Sequence, residues 1–284
     1  MSEHRTYWSV AEMCRVFKVS RSGYYRWLGR GPSRREVENR KLDAEIREIY
    51  DHNKGRYGSP KITQELKSRG WRVSKNRVAK RMREMGLRSI IRRKFRVTTD
   101  SKHNFPVSPN LLKRNFTTDG PDKVWVSDIT YLATRTGWLY LTVIIDLFSR
   151  LVVGWALSSS LSHEMVVTAL KRAIKGRRPG EDLIFHSDRG VQYACADFRK
   201  ELGRHGFVQS MSRKGNCWDN AVAESFFGIM KTELVYHTRY EGHQDTLHSI
   251  FEYIEVFYNR ERRHSTLGYL TPVEYENQKL RFCA

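Results

Sequence analysis

The stretch KVWVSDITYLATRTGWLYLTVIIDLFSRLVVGWALS (residues 123–158) decides the fold class of this 284-residue chain. It contains three runs rich in Val, Ile, Trp and Tyr, separated by a turn at Gly137 and a second turn at residues 148–150. β-Branched and aromatic runs bounded by short turns are typical of strands that pair in sequence order. The stretch therefore predicts a three-stranded meander.

Helical and strand-like segments alternate after the meander. Residues 163–176 have amphipathic helical spacing, residues 182–188 form a short apolar run, residues 193–206 predict a helix that ends in glycine, and residues 207–212 predict a fifth strand. A meander followed by alternating helices and strands is typical of a mixed α/β sheet with helices packed on it. We therefore expect an α/β domain over residues 116–284, including a C-terminal helical extension.

The front of the chain predicts two small all-α helix-turn-helix modules, in residues 1–31 and 32–87, the second preceded by a connecting helix. In such a module the second helix enters the major groove of DNA. Residues 88–115 are basic, carry two prolines and show no helical or strand period, so we expect an extended linker. Serines stand where N-caps are expected for four of the short helices: Ser9, Ser20, Ser59 and Ser74.

Positive charge is concentrated in these modules and the linker. Residues 1–115 contain 30 Lys and Arg against 11 Asp and Glu, whereas the whole chain contains 51 against 31 and has a net charge of +20. This asymmetry favours a polyanionic partner, most often nucleic acid, over a merely well-charged soluble surface. The side chains that we expect to face DNA are Arg21, Arg26, Lys75, Asn76, Arg77 and Lys80.

Composition also excludes several classes of protein. The four cysteines form no C-x-x-C pair and have no histidine at zinc spacing, so neither a zinc module nor a disulfide framework is indicated. No apolar run approaches the length of a membrane span, and the N-terminus does not resemble a signal peptide. We expect a soluble protein of the cytoplasm.

Three acidic residues stand out in the predicted sheet domain. Asp128 lies inside an apolar strand, where a charge is costly unless it is paired or bound to a cation. Asp188 ends the fourth predicted strand, and Glu224 follows after 35 intervening residues in a segment with helical character. The ordinary explanation of Asp188 is that it opens a turn. If the first and fourth strands are neighbours, however, Asp128 and Asp188 converge, and three carboxylates suit Mg²⁺.

The residues around these acids resemble a known catalytic core. WVSDITYL, HSDRGVQY and GNCWDNAVAESFFGIMKTE are similar to the D-D-(35)-E core of retroviral integrases and bacterial insertion-sequence transposases. The resemblance is closest to the second-frame (OrfB) product of the insertion-sequence-three family. It extends to YNRERRHSTLGYLTPVEYE near the C-terminus and to YGSPKITQELKSRGWRVSKNRVAKRM in the second helical module, and so covers nearly the whole chain.

The resemblance implies a ribonuclease-H-like core in which Asp128, Asp188 and Glu224 are catalytic metal ligands. They would hold two Mg²⁺ ions per active site, with Mn²⁺ as a substitute. The implied activity is that of a DDE transposase, which binds the insertion-sequence ends, cleaves a DNA strand and transfers its 3′-hydroxyl end to target DNA. The implied partners are the terminal inverted repeats, target DNA, at least one further copy of the chain and the first-frame product of the same element. The implied place of action is the bacterial nucleoid.

Further basic residues are candidates for contact with DNA. Lys231 matches a basic position of the family and lies seven residues after Glu224, which is two helical turns and nearly the same helix face. Arg213 and Lys214 suggest a basic loop near the site, and Arg263 belongs to a basic C-terminal segment. Plain surface positions remain the alternative for each of them.

Two other side chains compete for a role in the site. His186 precedes Asp188 by two residues and is either a site residue or a structural histidine at a strand end. Asp146 ends the second predicted strand and is a rival acid, although it matches no position of the family.

Two alternative functions follow from the same residues. The active enzyme of the family is often a fusion of two reading frames, and this chain lacks the N-terminal heptad repeat of a first-frame product. It would then be a DNA-binding regulator that is inactive without that partner. A simple nuclease of the same fold is disfavoured, because two DNA-binding modules exceed what non-specific cutting requires.

Overall fold

The chain folds as two units, Met1–Ser89 and Ile90–Ala284. The finer division at residue 31 and the limits of the linker stay predictions, and most of the linker, residues 91–106, lies outside the described part of the chain. The structure, a computed structural model, describes residues 1–90, 107–213 and 217–281, and only the backbone of residues 217 and 218.

The first unit is helical, as predicted. Ser9, Ser20 and Ser74 each accept the backbone N–H of the residue three positions on, which confirms three of the four expected caps. The expectation for Ser59 is wrong: the helix begins at Ser59 itself, and its N-cap is Gly58, which has no side chain to bond an N–H. The helices are α1 (Val10–Val16), α2 (Arg21–Leu28), α3 (Arg34–His52), α4 (Ser59–Ser68) and α5 (Lys75–Glu84).

The connecting helix α3 packs on α4 and α5, as its apolar spacing predicts. The aliphatic side chains between these three helices are fully buried, whereas the α1–α2 hairpin buries only Met13, Cys14 and Tyr24. The stability of the first unit therefore comes mainly from the second module. The fully buried aliphatic residues of the three helices are Leu42, Ile46, Ile49, Ile62, Leu66 and Val78.

A five-stranded mixed sheet forms the centre of the second unit, with the strand order β3-β2-β1-β4-β5. The first three strands pair antiparallel, and β4 and β5 run parallel to β1. The sheet confirms the predicted meander and the mixed α/β class, and its order is that of the ribonuclease-H-like sheet implied by the resemblance. The strands are β1 (Val124–Thr134), β2 (Gly137–Asp146), β3 (Val152–Ser158), β4 (Ile184–Ser187) and β5 (Val208–Met211).

Three helices cover one face of the sheet and enclose a core that includes Trp125, Phe185 and Phe198. The single helix expected over residues 193–206 is two helices, because Cys195 has an extended backbone (φ −66°, ψ 155°) that interrupts the helical hydrogen bonds. The helices are α6 (His163–Arg177), α7 (Val191–Ala194) and α8 (Ala196–Arg204).

The C-terminal part of the chain is helical, as expected, and it packs on the sheet. After α10 (His243–Phe251) the helix continues with π-type hydrogen bonding over Glu252–Glu261. Asn259 in this stretch accepts the N–H of Val152 on β3 (3.0 Å) and donates to its carbonyl (3.1 Å). None of the described helices is both long and apolar enough to cross a bilayer. The C-terminal helices are α9 (Ala221–Glu233), α10 (His243–Phe251) and α11 (Pro272–Arg281).

Gly154 allows α6 to lie close against β3. A Cβ atom at this position would be 2.5 Å from the carbonyl oxygen of Ala169 and 2.8 Å from the Cβ of Ala173. We expect Gly154→Ala to lower the free energy of unfolding by about 1–3 kcal/mol, because the added methyl group would overlap atoms of α6, and the helix and the strand would have to move apart to fit it. Urea unfolding measures the change.

Gly176, in the helix that Gly154 contacts, provides the matched control. A Cβ atom there meets no atom of the described residues within 4 Å. Gly176→Ala is therefore expected to raise stability by roughly 0.5–1 kcal/mol through a better helix propensity. Equal urea midpoints for wild type and Gly154→Ala would show that the helix–strand contact is looser than described.

Candidate active site

The sheet register brings Asp128 and Asp188 together. On the parallel strands β1 and β4, Val126 is paired with His186. Continuing this register by two residues places Asp128 beside Asp188, which directly follows β4. Each carboxylate is oriented by a nearby backbone N–H: the Oδ1 of Asp128 accepts from Ile129 (2.8 Å), and the Oδ1 of Asp188 accepts from the glycine two positions on (2.9 Å).

Glu224 joins these acids from the first turn of α9. The start of this helix is fixed to β1, because the side-chain amide of Asn220 donates to the carbonyl of Ser127 (3.0 Å), next to Asp128. The buried face of α9, including Phe226 and Met230, holds the helix against the sheet. The third carboxylate is thus positioned by one polar bond and by apolar packing.

Electrostatics show that the three carboxyl groups influence one another. Burial, and then the charges of Asp188 and Glu224, raise the pKa of Asp128 well above its usual range, against the Ile129 N–H and Lys231. Burial and the charge of Asp188 raise the pKa of Glu224. Every pair among the three acids therefore repels, which is the condition that a bound cation relieves.

The donor chemistry of this acid triad fits a hard divalent cation, since Mg²⁺ prefers carboxylate oxygens completed by water and phosphate oxygens. The acids are near one another without forming a finished ligand cluster. Among the described residues, no group of three or more His, Cys, Asp or Glu side chains is arranged to hold a metal ion as it stands.

Lys231 lies beside the acid triad, as its helical spacing from Glu224 predicts. Burial lowers the pKa of its ammonium group, and the charge of Asp128 acts in the opposite direction. The ammonium and Asp128 are therefore within electrostatic range of each other. Lys231 is thus a basic side chain within reach of the chemistry suggested by the acids.

The other basic candidates of the second unit are less clearly directed at a ligand. Arg213 forms a two-pronged ion pair with Asp219 at 2.9 Å. Lys214 lies outside the described residues. Arg263 donates to the carbonyl of Tyr269 (3.1 Å). Contact of any of these three with DNA stays a prediction.

In the first unit, the predicted DNA-facing residues fall into two groups. Arg21 and Arg26 on α2 are exposed, as are three residues of α5: Lys75, Asn76 and Lys80. Arg77 instead turns toward α3, where its guanidinium donates to Glu38 and Asn39 at 2.9 Å. The exposed side chains remain candidates for a groove, whereas Arg77 has a structural role in joining two helices.

His186 and Asp146 have structural roles. His186 is fully buried, and its ring nitrogens bond Ser210 (2.8 Å) and the carbonyl of Asp219 (3.0 Å). Burial lowers the pKa of this imidazole to about 4, against the carbonyl of Asp219, so the ring is neutral at pH 7. Asp146 accepts the N–H and hydroxyl of Ser149 and closes the β2–β3 turn, away from the acid triad.

Asp219 is a residue whose importance the sequence did not reveal. Its side chain is fully buried and accepts from Asn110 (2.8 Å), Arg114 (3.3 Å) and Arg213. Its carbonyl accepts from His186, so the turn before α9 is tied to β4 and to the segment that precedes β1. In the sequence, Asp219 has only the appearance of a helix-starting residue.

Asp219→Asn is expected to lower stability at pH 7 by about 2 kcal/mol, because the charge-assisted bonds from Arg213 and Arg114 are weakened. The bond with Arg213 holds the pKa of Asp219 well below its usual range, against the effect of burial and with help from Arg114. The contribution is complete above the unfolded-state pKa, near 3.9, and falls as the pH drops below that value.

Urea unfolding at several pH values tests this expectation. The difference between wild type and Asp219→Asn should narrow between about pH 5 and pH 3, following the unfolded-state titration. The exposed acid Asp182 supplies the control, and Asp182→Asn should change stability by less than about 0.5 kcal/mol. A difference that is constant or widens toward low pH would contradict the role given to Asp219.

Comparison with protein families matches both units. A model described as an HTH-like domain matches residues 36–95, and two models described as an integrase core domain match residues 118–217 and 224–280. The first integrase-core match ends close to the turn before α9, and the second begins just after it and includes Glu224.

Similar curated proteins cover almost the entire chain. The Insertion element IS600 uncharacterized 31 kDa protein of Shigella sonnei is 44% identical over 94% of this chain and 98% of its own length. The Transposase InsF for insertion sequence IS3A of Escherichia coli K12 is 40% identical over 99% of this chain and 98% of its own length.

Solved structures with a similar backbone are more distant in sequence. The simian T-cell lymphotropic virus intasome, solved with the PP2A regulatory subunit B56 gamma, contains a chain with a TM-score of 0.47 and 15% identity, covering 81% of this chain and 74% of that one. The HTLV-2 integrase catalytic core domain in complex with magnesium has a TM-score of 0.43 and 16% identity, covering 56% and 98%.

Proposed function

This chain belongs to the insertion-sequence-three family of transposases, and from that membership we propose which of its residues perform the reaction and how. It is a DDE transposase with an integrase-type core, and its family acts on DNA. We assign Asp128, Asp188 and Glu224 as the catalytic ligands of two Mg²⁺ ions, which Mn²⁺ can replace. The proposed reaction is cleavage of a strand at the element end and transfer of its 3′-hydroxyl to target DNA.

One observation carries this assignment. Asp128 and Asp188 come from neighbouring strands of the sheet, and Glu224 comes from a helix tied to one of them. Burial and then the charges of Asp188 and Glu224 raise the pKa of Asp128, and burial and then the charge of Asp188 raise the pKa of Glu224. Folding has thus gathered three like charges in one place. Stability alone gives no reason for such an arrangement, whereas binding of divalent cations does.

The residues of the chain have separate tasks in this mechanism. The three acids would hold the two divalent ions, which when bound would supply activation of the attacking oxygen and stabilisation of the leaving oxygen of a phosphodiester. The N–H groups that orient Asp128 and Asp188 keep the two carboxylates in place before substrate arrives. Lys231, which lies on nearly the same face of α9 as Glu224, donates a hydrogen bond to a phosphate of the DNA strand and thereby sets the position of the DNA end. A water molecule attacks first, and the freed 3′-hydroxyl then attacks the target strand, so that no covalent bond to the enzyme forms.

The remaining partners follow from the two-unit architecture. Exposed basic side chains on α2 and α5 are proposed to bind the terminal inverted repeats. Concerted joining of two ends requires at least a dimer, and the first-frame product of the element is a further proposed partner. Because its proposed substrate is chromosomal DNA, the protein is proposed to associate with the nucleoid.

The test uses the full chain with duplex DNA that carries the element ends, a supercoiled target and Mg²⁺, each reaction run with and without the first-frame product. We expect strand cleavage and joined product in Mg²⁺ or Mn²⁺ and neither in a chelator. Activity only in the reactions with the first-frame product would still be transposition. Binding of ends with no cleavage in any reaction would identify a regulator instead.

A further inference from the structure

Three buried hydroxyl groups meet on the face of the sheet opposite to the Asp128 side chain. They belong to Ser127 on β1, Thr142 on β2 and Tyr193 on α7, which are at most 1% exposed. The Tyr193 hydroxyl lies 2.8 Å from the Oγ of Ser127 and 3.4 Å from the Oγ1 of Thr142. Apolar side chains of similar shape would fill this space without the cost of burying polar groups. The three residues, called the hydroxyl cluster below, therefore indicate a role beyond filling the core.

The direction of the shortest contact in the hydroxyl cluster follows from the number of protons. The Ser127 hydroxyl donates its one proton to the carbonyl of Val143 (2.8 Å), so the Tyr193 hydroxyl is the donor to Ser127. Burial, and then the charges of Asp188 and Asp128, raise the pKa of the Tyr193 phenol, against its bonds within the cluster. The phenol therefore keeps its proton at neutral pH, and the bonds run from Tyr193 through Ser127 to the Val143 carbonyl.

The hydroxyl cluster is bonded to the backbone that carries Asp128. Val143 is the residue that pairs with Asp128 across β1 and β2. Ser127 directly precedes Asp128 in the chain, and the Oγ1 of Thr142 donates to the Asp128 carbonyl (3.4 Å). Tyr193 is thus connected through hydrogen bonds to the backbone on both sides of the first acid.

Tyr193 also belongs to the segment that carries Asp188. The helix α7 begins directly after Gly190, whose N–H donates to the Oδ1 of Asp188 (2.9 Å). The N–H of Tyr193 donates in turn to the carbonyl of Gly190 (3.0 Å). Its ring packs edge-on against that of Phe198 at 5.6 Å, so the side chain has little freedom to move. A single side chain therefore joins the supports of Asp128 and Asp188.

We propose that Tyr193 is a positioning residue, whose hydroxyl fixes the spacing of Asp128 and Asp188 and with it the affinity of the acid triad for divalent cations. The inference rests on the proposed function and adds to it a residue that acts only through the backbone. Two carboxylates that share a cation tolerate little movement, because a displacement of about 1 Å can cost about a hundred-fold in rate.

The test compares the wild-type full chain with Tyr193→Phe, which removes only the hydroxyl group. Calorimetry measures Mn²⁺ binding to the protein without DNA, and a gel assay measures Mg²⁺-dependent cleavage of an end duplex. We expect Tyr193→Phe to weaken Mn²⁺ binding by about 10- to 100-fold and to raise the Mg²⁺ concentration for half-maximal cleavage by a similar factor. Binding of end DNA without metal should be unchanged.

Tyr240→Phe is the matched control. Tyr240 is also 1% exposed, and its hydroxyl lies 3.2 Å from the Oγ of Ser249, so this change too removes a tyrosine–serine bond from the second unit. Both variants should lower the urea midpoint by similar amounts, whereas Tyr240→Phe should bind Mn²⁺ as the wild type does. A merely structural role of the Tyr193 hydroxyl would make the two variants alike in both measurements.

Ser127→Ala provides a second route to the same bond and replaces Tyr193→Phe if that variant does not fold. It removes the acceptor of the Tyr193 proton and should reproduce the loss of Mn²⁺ affinity. The double variant should lose little more than either single variant, because both changes remove one interaction.

Three results would overturn the proposal: wild-type Mn²⁺ affinity in Tyr193→Phe, an equal loss of affinity in Tyr240→Phe, or additive losses in the double variant. Failure of the proposed function gives a different pattern. Asp188→Asn would then keep both Mn²⁺ binding and cleavage. Loss of both by Asp188→Asn, with no loss by Tyr193→Phe, would remove only the positioning role.

Discussion

Asp188→Asn is expected to abolish Mg²⁺-dependent strand cleavage and joining, with a loss of about a thousand-fold or more. Asparagine has the shape of aspartate but no charge, and a neutral amide oxygen is a much poorer ligand for a hard cation. The amide oxygen can still accept the glycine N–H that Asp188 accepts now, so the loop after β4 should keep its conformation. Binding of end DNA should survive or tighten, because one repulsive charge is removed. Gel assays of cleavage and joining, together with anisotropy of labelled DNA, measure both properties.

Asp146→Asn is the matched control for this experiment. Asp146 also ends a strand of the sheet, but its carboxylate closes a turn through Ser149 and the N–H of Asp122. Its replacement should lower stability and leave the rate of strand joining within a few-fold of wild type. Near-normal joining by Asp188→Asn would refute the metal-ligand role of Asp188, whatever the effect of Asp146→Asn.

Glu233→Ala is expected to lower the free energy of unfolding by about 3–5 kcal/mol. Glu233 ends α9, where both of its oxygens bond the guanidinium of Arg262 and one also accepts from the Tyr253 hydroxyl (2.9 Å). Glu233 is 10% exposed and Arg262 is 7% exposed. Removing the carboxylate would leave a buried positive charge without its partner, which costs far more than the net value of the pair. Urea or thermal unfolding measures this loss.

An exposed ion pair in the same unit provides the comparison. Arg135 and Glu241 pair at 3.3 Å with 74% and 67% of their side chains exposed, so Glu241→Ala should change stability by less than about 1 kcal/mol. Similar losses for Glu233→Ala and Glu241→Ala would show that burial of the Glu233 pair is not maintained in solution. Because α9 also carries Glu224, a partly unfolded Glu233→Ala protein should lose activity together with structure.

The sheet could be predicted from the sequence because it depends on local signals, whereas the catalytic role of the three acids stays a prediction. Runs of β-branched and aromatic residues define β1 to β3 without knowledge of their partners. Parallel pairing of the first and fourth strands was a condition of the prediction, and the observed register of Val126 with His186 satisfies it. Helical spacing alone put Lys231 on the face of Glu224.

Features that depend on long-range hydrogen bonds could not be predicted in this way. Nothing in the sequence indicates the partners of Asp219 and Asn220, which bond residues up to 109 positions away. Arg77 was expected to face DNA, but Glu38 and Asn39 on α3 lie within reach once the helices pack. Hydrogen bonds between residues that are distant in the chain produce no periodic pattern in the sequence. The interruption of the helix at Cys195 could not be predicted either, because no glycine or proline stands there in the sequence.

The two hydrogen bonds between Asn259 and Val152 affect how readily copies of the protein aggregate. β3 is an outermost strand, and an uncovered outermost strand recruits strands from other molecules into growing aggregates. The amide of Asn259 occupies both backbone groups of Val152, as a neighbouring strand would. A protein that must find scattered DNA ends at low concentration gains from this protection, since aggregation would withdraw it from the search. A chain truncated after α10 would lose this protection while it kept all three acids of the triad.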